Sequence, residues 1–261
     1  MSLPAPSKDL GQHFLVDENI IRVIGRLADL QPEDVVLEIG PGQGVLTAFL
    51  AERTGLVHAV ELDRRLESHL AGRFAGTPSV RLQFADALRL DPAALEPPPS
   101  KLVANLPYNV ATPIVVESLS GLPTLRLWCV MVQREVAERF FAQPGTKAYG
   151  AVSVLIQLVA ERTGFHPVSR EVFRPRPNVD SALVAFRRLP EASTASWLDL
   201  KRVVEAAFAH RRKTLPNSIE LSGVAERAQA EAALASLGRP ATTRAEELTP
   251  PEFVELTEAL P

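Results

Sequence analysis

Three features of this 261-residue chain predict an α/β fold with a mostly parallel sheet, followed by a small all-helical domain. Apolar runs bounded by turn residues alternate with segments of helical period. Those runs are apolar almost throughout, as in strands that helices cover on both faces. Finally, the composition turns small and polar at "LPEASTAS" (189–196), and only helix-period segments follow.

Taken in order, Asp17 is placed to cap a helix in which Ile20, Ile21, Ile24 and Leu27 recur at helical spacing. Strands are expected at "DVVLEIG" (34–40), "LVHAVELD" (56–63), "VRLQFAD" (80–86), "KLVANLP" (101–107) and "LRLWCVMVQ" (125–133). Between them, "GVLTAFLAER" (44–53), "RRLESHLAGRF" (64–74) and "TPIVVESLSG" (112–121) read as helices. The segments "AVSVLIQLVAERTGFHPV" (151–168) and "SALVAFRRL" (181–189) are expected to close the sheet as an antiparallel pair. "VFRPRPNVD" would be the loop between them, stiffened by two prolines. The tail reads as helices at 197–212, 225–238 and 249–260, the last begun by Thr249 and Pro250. Two domains follow, residues 1–189 and 190–261.

Composition narrows the function. A single cysteine, Cys129, excludes an intrachain disulfide, and its apolar neighbours suggest an inert buried thiol in a reducing compartment. No apolar run is long enough to span a bilayer, and "MSLPAPSKDL" lacks the order of a signal peptide, so a cytoplasmic protein without a membrane partner is expected. The net charge of −3 hides an uneven distribution. Residues 101–189 hold 11 Lys/Arg against 6 Asp/Glu, whereas residues 1–100 hold 9 against 14 and residues 190–261 hold 8 against 11. A basic middle segment suits a nucleic-acid partner, and equally suits ordinary scatter of surface charge.

The chemistry concentrates at strand ends, where open α/β sheets bind their ligands. In "VVLEIGPGQG", Glu38 ends a strand and Gly40, Gly42 and Gly44 form the turn before a helix. The spacing is one residue shorter than in dinucleotide turns, where a pyrophosphate rests on the helix N-terminus. A G-x-G-x-G turn after an acid suits a ligand without pyrophosphate that carries an amine and an adenosine, a description S-adenosylmethionine fits. Glu61, at the next strand end, can accept from both ribose hydroxyls, and Asp86, at the third, from the adenine amine.

The fourth strand end is "NLPY", residues 105–108. An exocyclic adenine amine is a poor nucleophile because its lone pair is delocalised into the ring, so catalysis requires acceptors that reorient it. The Asn105 side-chain oxygen and the Leu106 carbonyl can each take one N6 hydrogen. Pro107 stiffens the turn and brings no competing donor, while Tyr108 offers a ring for stacking. Without the upstream acids, the same four residues would read as a turn in which Asn105 caps and Tyr108 fills space.

With these motifs, "GQHFL" (11–15), "EIGPGQGVLT" (38–47), "VELD" (60–63), "KAYGAVSVLIQ" (147–157), "FRPRPNVDSALV" (173–184) and "RRKTL" (211–215) resemble the rRNA adenine N6-dimethyltransferases of the KsgA type. The resemblance runs from about residue 8 to the end. It implies a Rossmann-like S-adenosylmethionine-dependent methyltransferase fold with a C-terminal helical domain that binds rRNA. It also implies dimethylation of two adjacent adenosines in a hairpin near the 3′ end of 16S rRNA, within the immature 30S subunit, by a monomer.

Position by position, the resemblance implies that Gln12, His13 and Leu15 close over the cofactor and that Gly40 and Gly42 floor its methionine part. Glu61 then holds the ribose, Asp86 and Ala87 the adenine, and Asn105 borders both ligands. Phe173 is expected to sandwich the flipped base opposite Tyr108, and Arg211, Arg212 and Lys213 to grip the rRNA backbone. His13 stands where the family more often has Asn, and Pro216 follows "RRKTL" where a basic or aliphatic residue is commoner. Two rivals remain at this point. One is the related methyltransferase of large-subunit rRNA, which typically has Ile at the position of Leu106; the other is an rRNA-binding assembly factor whose catalysis is secondary.

Overall fold

The computed structural model describes residues 6–7, 10–190 and 196–261. Most of the small polar stretch expected to separate the domains, 191–195, lies outside them, as does most of the first ten residues. The chain forms two compact units. One runs to Ala137 and resumes over Arg162–Arg188; the other takes Glu138–Glu161 and Leu189–Pro261. A single cut near residue 190 therefore misses the segment 138–161, which belongs with the helical tail.

The first unit contains β1 (Phe14–Leu15), α1 (Glu18–Leu27), β2 (Val35–Ile39), α2 (Val45–Ala51), β3 (Leu56–Glu61), α3 (Glu67–Phe74), β4 (Val80–Phe84), β5 (Lys101–Asn105), α4 (Ala111–Gly121) and β6 (Leu127–Gln133). After α5 (Arg134–Phe140) and α6 (Ala151–Val159), the latter in the second unit, the chain returns with β7 (Ala160–Val168), β8 (Phe173–Arg174) and β9 (Ser181–Arg188). The main sheet has the order β4-β3-β2-β5-β6-β9-β7. Strands β4 to β6 of that order are parallel, and β9 runs antiparallel to β6.

The order reverses between β2 and β5, so the loops after these two neighbours face the crevice where such sheets bind ligands. The central strands are buried on both faces. Val36, Val57, Val103 and Cys129 carry no exposed surface and share one core with Ile21 and Ile24 of α1 and Leu50 of α2. At the opposite, amino-terminal end, Lys101 and Asp34 form a buried ion pair at 2.6 Å. Asp34 also accepts from Gln31 N and Ser100 Oγ, so neither charge lacks partners.

The expected antiparallel closing pair is half corrected: Ala151–Val159 is helix α6, and only the second half of that run is strand. The cause is that "AVSVLIQLV" is apolar around its whole circumference, and periodicity cannot separate a buried helix from a buried strand. Nor is "VFRPRPNVD" only a loop, because β8 within it pairs antiparallel with β1.

The second unit contains α7 (Trp197–Ala209), α8 (Leu215–Leu221), α9 (Arg227–Ser236) and α10 (Pro250–Ala259), with α6 packed on α7 and α10. Its core includes Tyr149, Phe208 and Phe253, with ring centroids 5.9 and 5.7 Å apart. The Tyr149 hydroxyl donates to the Leu248 carbonyl. Thr249 and Glu252 cap α10 reciprocally. The unusual Pro216 sits in the first turn of α8, where its missing N–H has no helical partner to lose.

Candidate active site

Within the first unit, one cavity opens at the carboxyl ends of β2, β3 and β5, and the segment Leu10–Leu15 forms one of its walls. The Gly40–Gly44 turn forms its floor. Gly40 and Gly42 have φ of 74° and 57°, and a Cβ at Gly42 would lie 2.8 Å from the Phe14 ring. Only glycine combines that backbone with that approach.

Glu38, whose side chain also lines the cavity, is almost fully buried. Its Oε2 lacks a hydrogen-bond partner among the described residues. Burial pushes this carboxyl up to about 8. The Thr47 hydroxyl beside it opposes the rise without reaching hydrogen-bond geometry, and the Glu61 carboxylate reinforces it. A buried carboxyl with an orphaned oxygen on a cavity wall is matched by a ligand cation.

Glu61 is held from two sides. Its Oε2 accepts from Gly42 N at 3.0 Å and its Oε1 from Asp63 N at 2.9 Å. Burial raises its pKa and these backbone donors oppose the rise. Fixed in this way, the carboxylate keeps lone pairs for further donors at the cavity that Glu61 lines.

At the end of β5, the Asn105 side-chain amide donates from Nδ2 to the His13 carbonyl at 2.9 Å. That bond sets which way the amide points and leaves Oδ1 as the acceptor. Leu106 turns its side chain into the core and donates its N–H to the Met131 carbonyl. Pro107 packs over Gly40, 3.6 Å from where a Cβ would stand there. The Tyr108 ring lines the cavity, and its hydroxyl shares a 2.5 Å hydrogen bond with Ser181 Oγ, a residue that sequence reasoning passed over inside "FRPRPNVDSALV".

The partner of Tyr108 differs from the one expected. Phe173 has no exposed surface, lies in the core beside Leu15, and does not line the cavity. In its place the His13 ring stacks on Tyr108, with centroids 5.6 Å apart and planes inclined by 27°. Phe173 is held inward because β8 pairs with β1, placing Phe173 opposite Leu15 at the edge of the core. His13 Nδ1 meets the Pro175 carbonyl at 2.8 Å.

Gln12, His13, Leu15, Gly40, Gly42, Glu61, Asn105, Leu106, Pro107 and Tyr108 thus converge on one cavity. Asp86 and Ala87 do not line it. Asp86 Oδ1 instead accepts from Leu88 N, capping the short turn after β4, and Ala87 faces a separate apolar cavity beside α4. Arg211, Arg212 and Lys213 are exposed in the turn between α7 and α8 of the second unit, where Arg211 donates to the Lys147 carbonyl. No group of metal-ligating side chains occurs among the described residues, and no helix there is long and apolar enough to cross a membrane.

Residues 6–257 match the family described as ribosomal RNA adenine dimethylase. The chain belongs to that family. It is 51% identical over 253 residues to a ribosomal RNA small subunit methyltransferase A of Rubrobacter xylanophilus, covering 97% of this chain and 94% of that one. A protein of the same name from Thermobifida fusca is 47% identical, with 98% and 91% covered. Among solved structures, a dimethyladenosine transferase from Plasmodium falciparum shares the fold with a TM-score of 0.78, covering 94% and 96% of the two chains at 23% identity. The 23S rRNA methyltransferase ErmE is 31% identical, with a TM-score of 0.66 over 95% and 99%. The Rossmann-like methyltransferase fold expected from the sequence is therefore the fold of this family member, and its methyl donor is S-adenosylmethionine. The glycine floor, the orphaned Glu38 oxygen and the fixed Glu61 carboxylate fit such a donor.

Proposed function

We propose that this protein transfers methyl groups from S-adenosylmethionine to the N6 amines of two adjacent adenosines in a hairpin near the 3′ end of 16S rRNA. It acts as a monomer in the cytoplasm, on the immature 30S subunit. The carrying observation is the Asn105 amide, locked by the His13 carbonyl beside a glycine-floored cavity.

When bound, S-adenosylmethionine supplies an electrophilic methyl group on its sulfonium. The residues of this chain hold and orient. Gly40 and Gly42 admit the methionine part, Glu38 faces its cationic end, and Glu61 takes the ribose hydroxyls. Gln12, His13 and Leu15 wall the same cavity, and the adenine reaches past its rim toward Asp86 and Ala87, which follow β4 outside the cavity lining.

Asn105 Oδ1 and the Leu106 carbonyl accept the two N6 hydrogens, which turns the nitrogen lone pair toward the donor methyl. Tyr108 stacks on the extruded base and offsets part of the few kcal/mol that unstacking costs. Since His13 now covers a face of Tyr108, the base enters by displacing that ring or by using the other face. Arg211, Arg212 and Lys213 bind phosphates and set the register of the RNA.

Small-subunit RNA is favoured over large-subunit RNA by the higher identity to the small-subunit relatives than to ErmE, and by Leu106. Tritiated methyl transfer onto undermodified 30S and 50S particles tests this reading. Label in 16S rRNA alone is expected, and label confined to 23S rRNA refutes it. Complementation with a catalytically dead variant separates the assembly-factor reading, since full restoration of subunit maturation would make methylation dispensable.

A further inference from the structure

Asp63 has no place in the cavity wall, yet it is bonded to two residues that do. Its backbone N–H donates to Glu61 Oε1 at 2.9 Å. Its Oδ2 accepts from Gln12 Nε2, also at 2.9 Å, across 51 positions of sequence. Gln12 in turn accepts from Ser7 N through Oε1, so its amide orientation is set from both ends.

The carboxylate itself is almost fully buried. It is neutralised by the half-exposed Arg65, which approaches with Nε on Oδ1 at 2.8 Å and Nη2 on Oδ2 at 2.7 Å. Oδ1 also accepts from Arg65 N, starting the turn after β3. With all these partners in place Asp63 is a fixed acceptor, and the Arg65 guanidinium holds it down to about 2.

From this geometry we infer that Asp63 is a positioning residue for cofactor capture. It latches the Leu10–Leu15 segment, through Gln12, to the strand end that carries Glu61. The segment is also held by Asn105 on the His13 carbonyl, by His13 Nδ1 on the Pro175 carbonyl and by the pairing of β1 with β8, all C-terminal to Gln12. Removing the Asp63 side chain frees that side of the wall, while the Asp63 backbone N–H still holds Glu61 and the acceptors that orient the target amine stay in place. Cofactor affinity therefore falls and the chemical step does not. This rests on reading the cavity as the cofactor pocket.

The test is calorimetric binding of S-adenosylhomocysteine, with steady-state kinetics on undermodified 30S particles. Asp63→Ala and Gln12→Ala are each expected to weaken binding and raise the cofactor KM about tenfold, since a hydrogen bond to a charged group contributes about that much. For Asp63→Ala the value of kcat stays within about twofold. The double variant is expected to lose no more than either single one, because both remove the same contact. Asp63→Leu fills a similar volume with no acceptor for Gln12 and is likewise expected to weaken binding. This variant keeps the test decisive if Asp63→Ala fails to fold.

Multiplicative losses near a hundredfold in the double alanine variant, or unchanged binding in Asp63→Ala or Asp63→Leu, would each overturn the latch. Glu61→Gln is the control. If it binds normally, the cavity reading itself fails; if it loses binding while Asp63→Ala does not, only the latch fails.

Discussion

The side-chain amide of Asn105 is tied by its nitrogen to the main-chain carbonyl of His13, 92 residues earlier, at 2.9 Å. A nitrogen committed in this way leaves one oxygen free to accept, and acceptors are what an aromatic amine needs before it can attack. Asn105→Asp is nearly isosteric but cannot donate to His13, and it sets a carboxylate oxygen against a carbonyl oxygen. Methyl transfer is expected to fall about a hundredfold or more, with the thermal transition close to wild type. Single-turnover rates at saturating cofactor check this; near-normal transfer would remove Asn105 from the mechanism.

Tyr108 is expected to act through its ring. Its hydroxyl is occupied by Ser181 Oγ, so Tyr108→Phe keeps the stacking face and loses one hydrogen bond. A fall in kcat/KM of about three- to tenfold is expected for Tyr108→Phe and for Ser181→Ala, and a far larger one for Tyr108→Ala. Equal losses in Tyr108→Phe and Tyr108→Ala would contradict a stacking role.

Glu38 makes stability depend on pH. Its carboxyl rises from 4.5 to about 8 on folding, so between those values the folded state holds a proton that the unfolded state has released. Stability contributed by the protonated form is therefore complete below about 4.5, is lost as pH rises toward about 8, and is flat above that. The span corresponds to a few kcal/mol, on the order of 1.36 kcal/mol per unit. Thermal melts of the ligand-free protein should fall across this window, and Glu38→Gln should flatten the slope. Parallel slopes in the two proteins would show that Glu38 does not carry the effect.

The exposed turn after α7 supplies a prediction about salt. Replacing Arg211, Arg212 and Lys213 by alanine should weaken RNA binding uniformly. It should also reduce the slope of log affinity against log salt by about one for each lost phosphate contact. An unchanged slope would mean that these side chains do not reach phosphates.

Much of this was legible in sequence because it is local. Strands apolar on both faces announce a covered parallel sheet, and Gly40, Gly42, Glu61 and Asn105 stand at strand ends where spacing alone locates them. What stayed hidden depends on distant partners. Asp63 matters through Gln12, and no window of sequence holds both. The inward turn of Phe173 follows from the pairing of β8 with β1, which two-residue strands do not advertise. Helix α6 was hidden by being buried all round, and α8 by a proline that its first turn tolerates.

The most direct test of the central claim is nucleoside mass spectrometry of 16S rRNA after undermodified 30S particles are incubated with the protein and S-adenosylmethionine. N6,N6-dimethyladenosine at two adjacent positions near the 3′ end is predicted for the wild-type chain, and none for Asn105→Ala at saturating S-adenosylmethionine. Methylation at another atom or base, or equal dimethylation by the two proteins, would contradict the account.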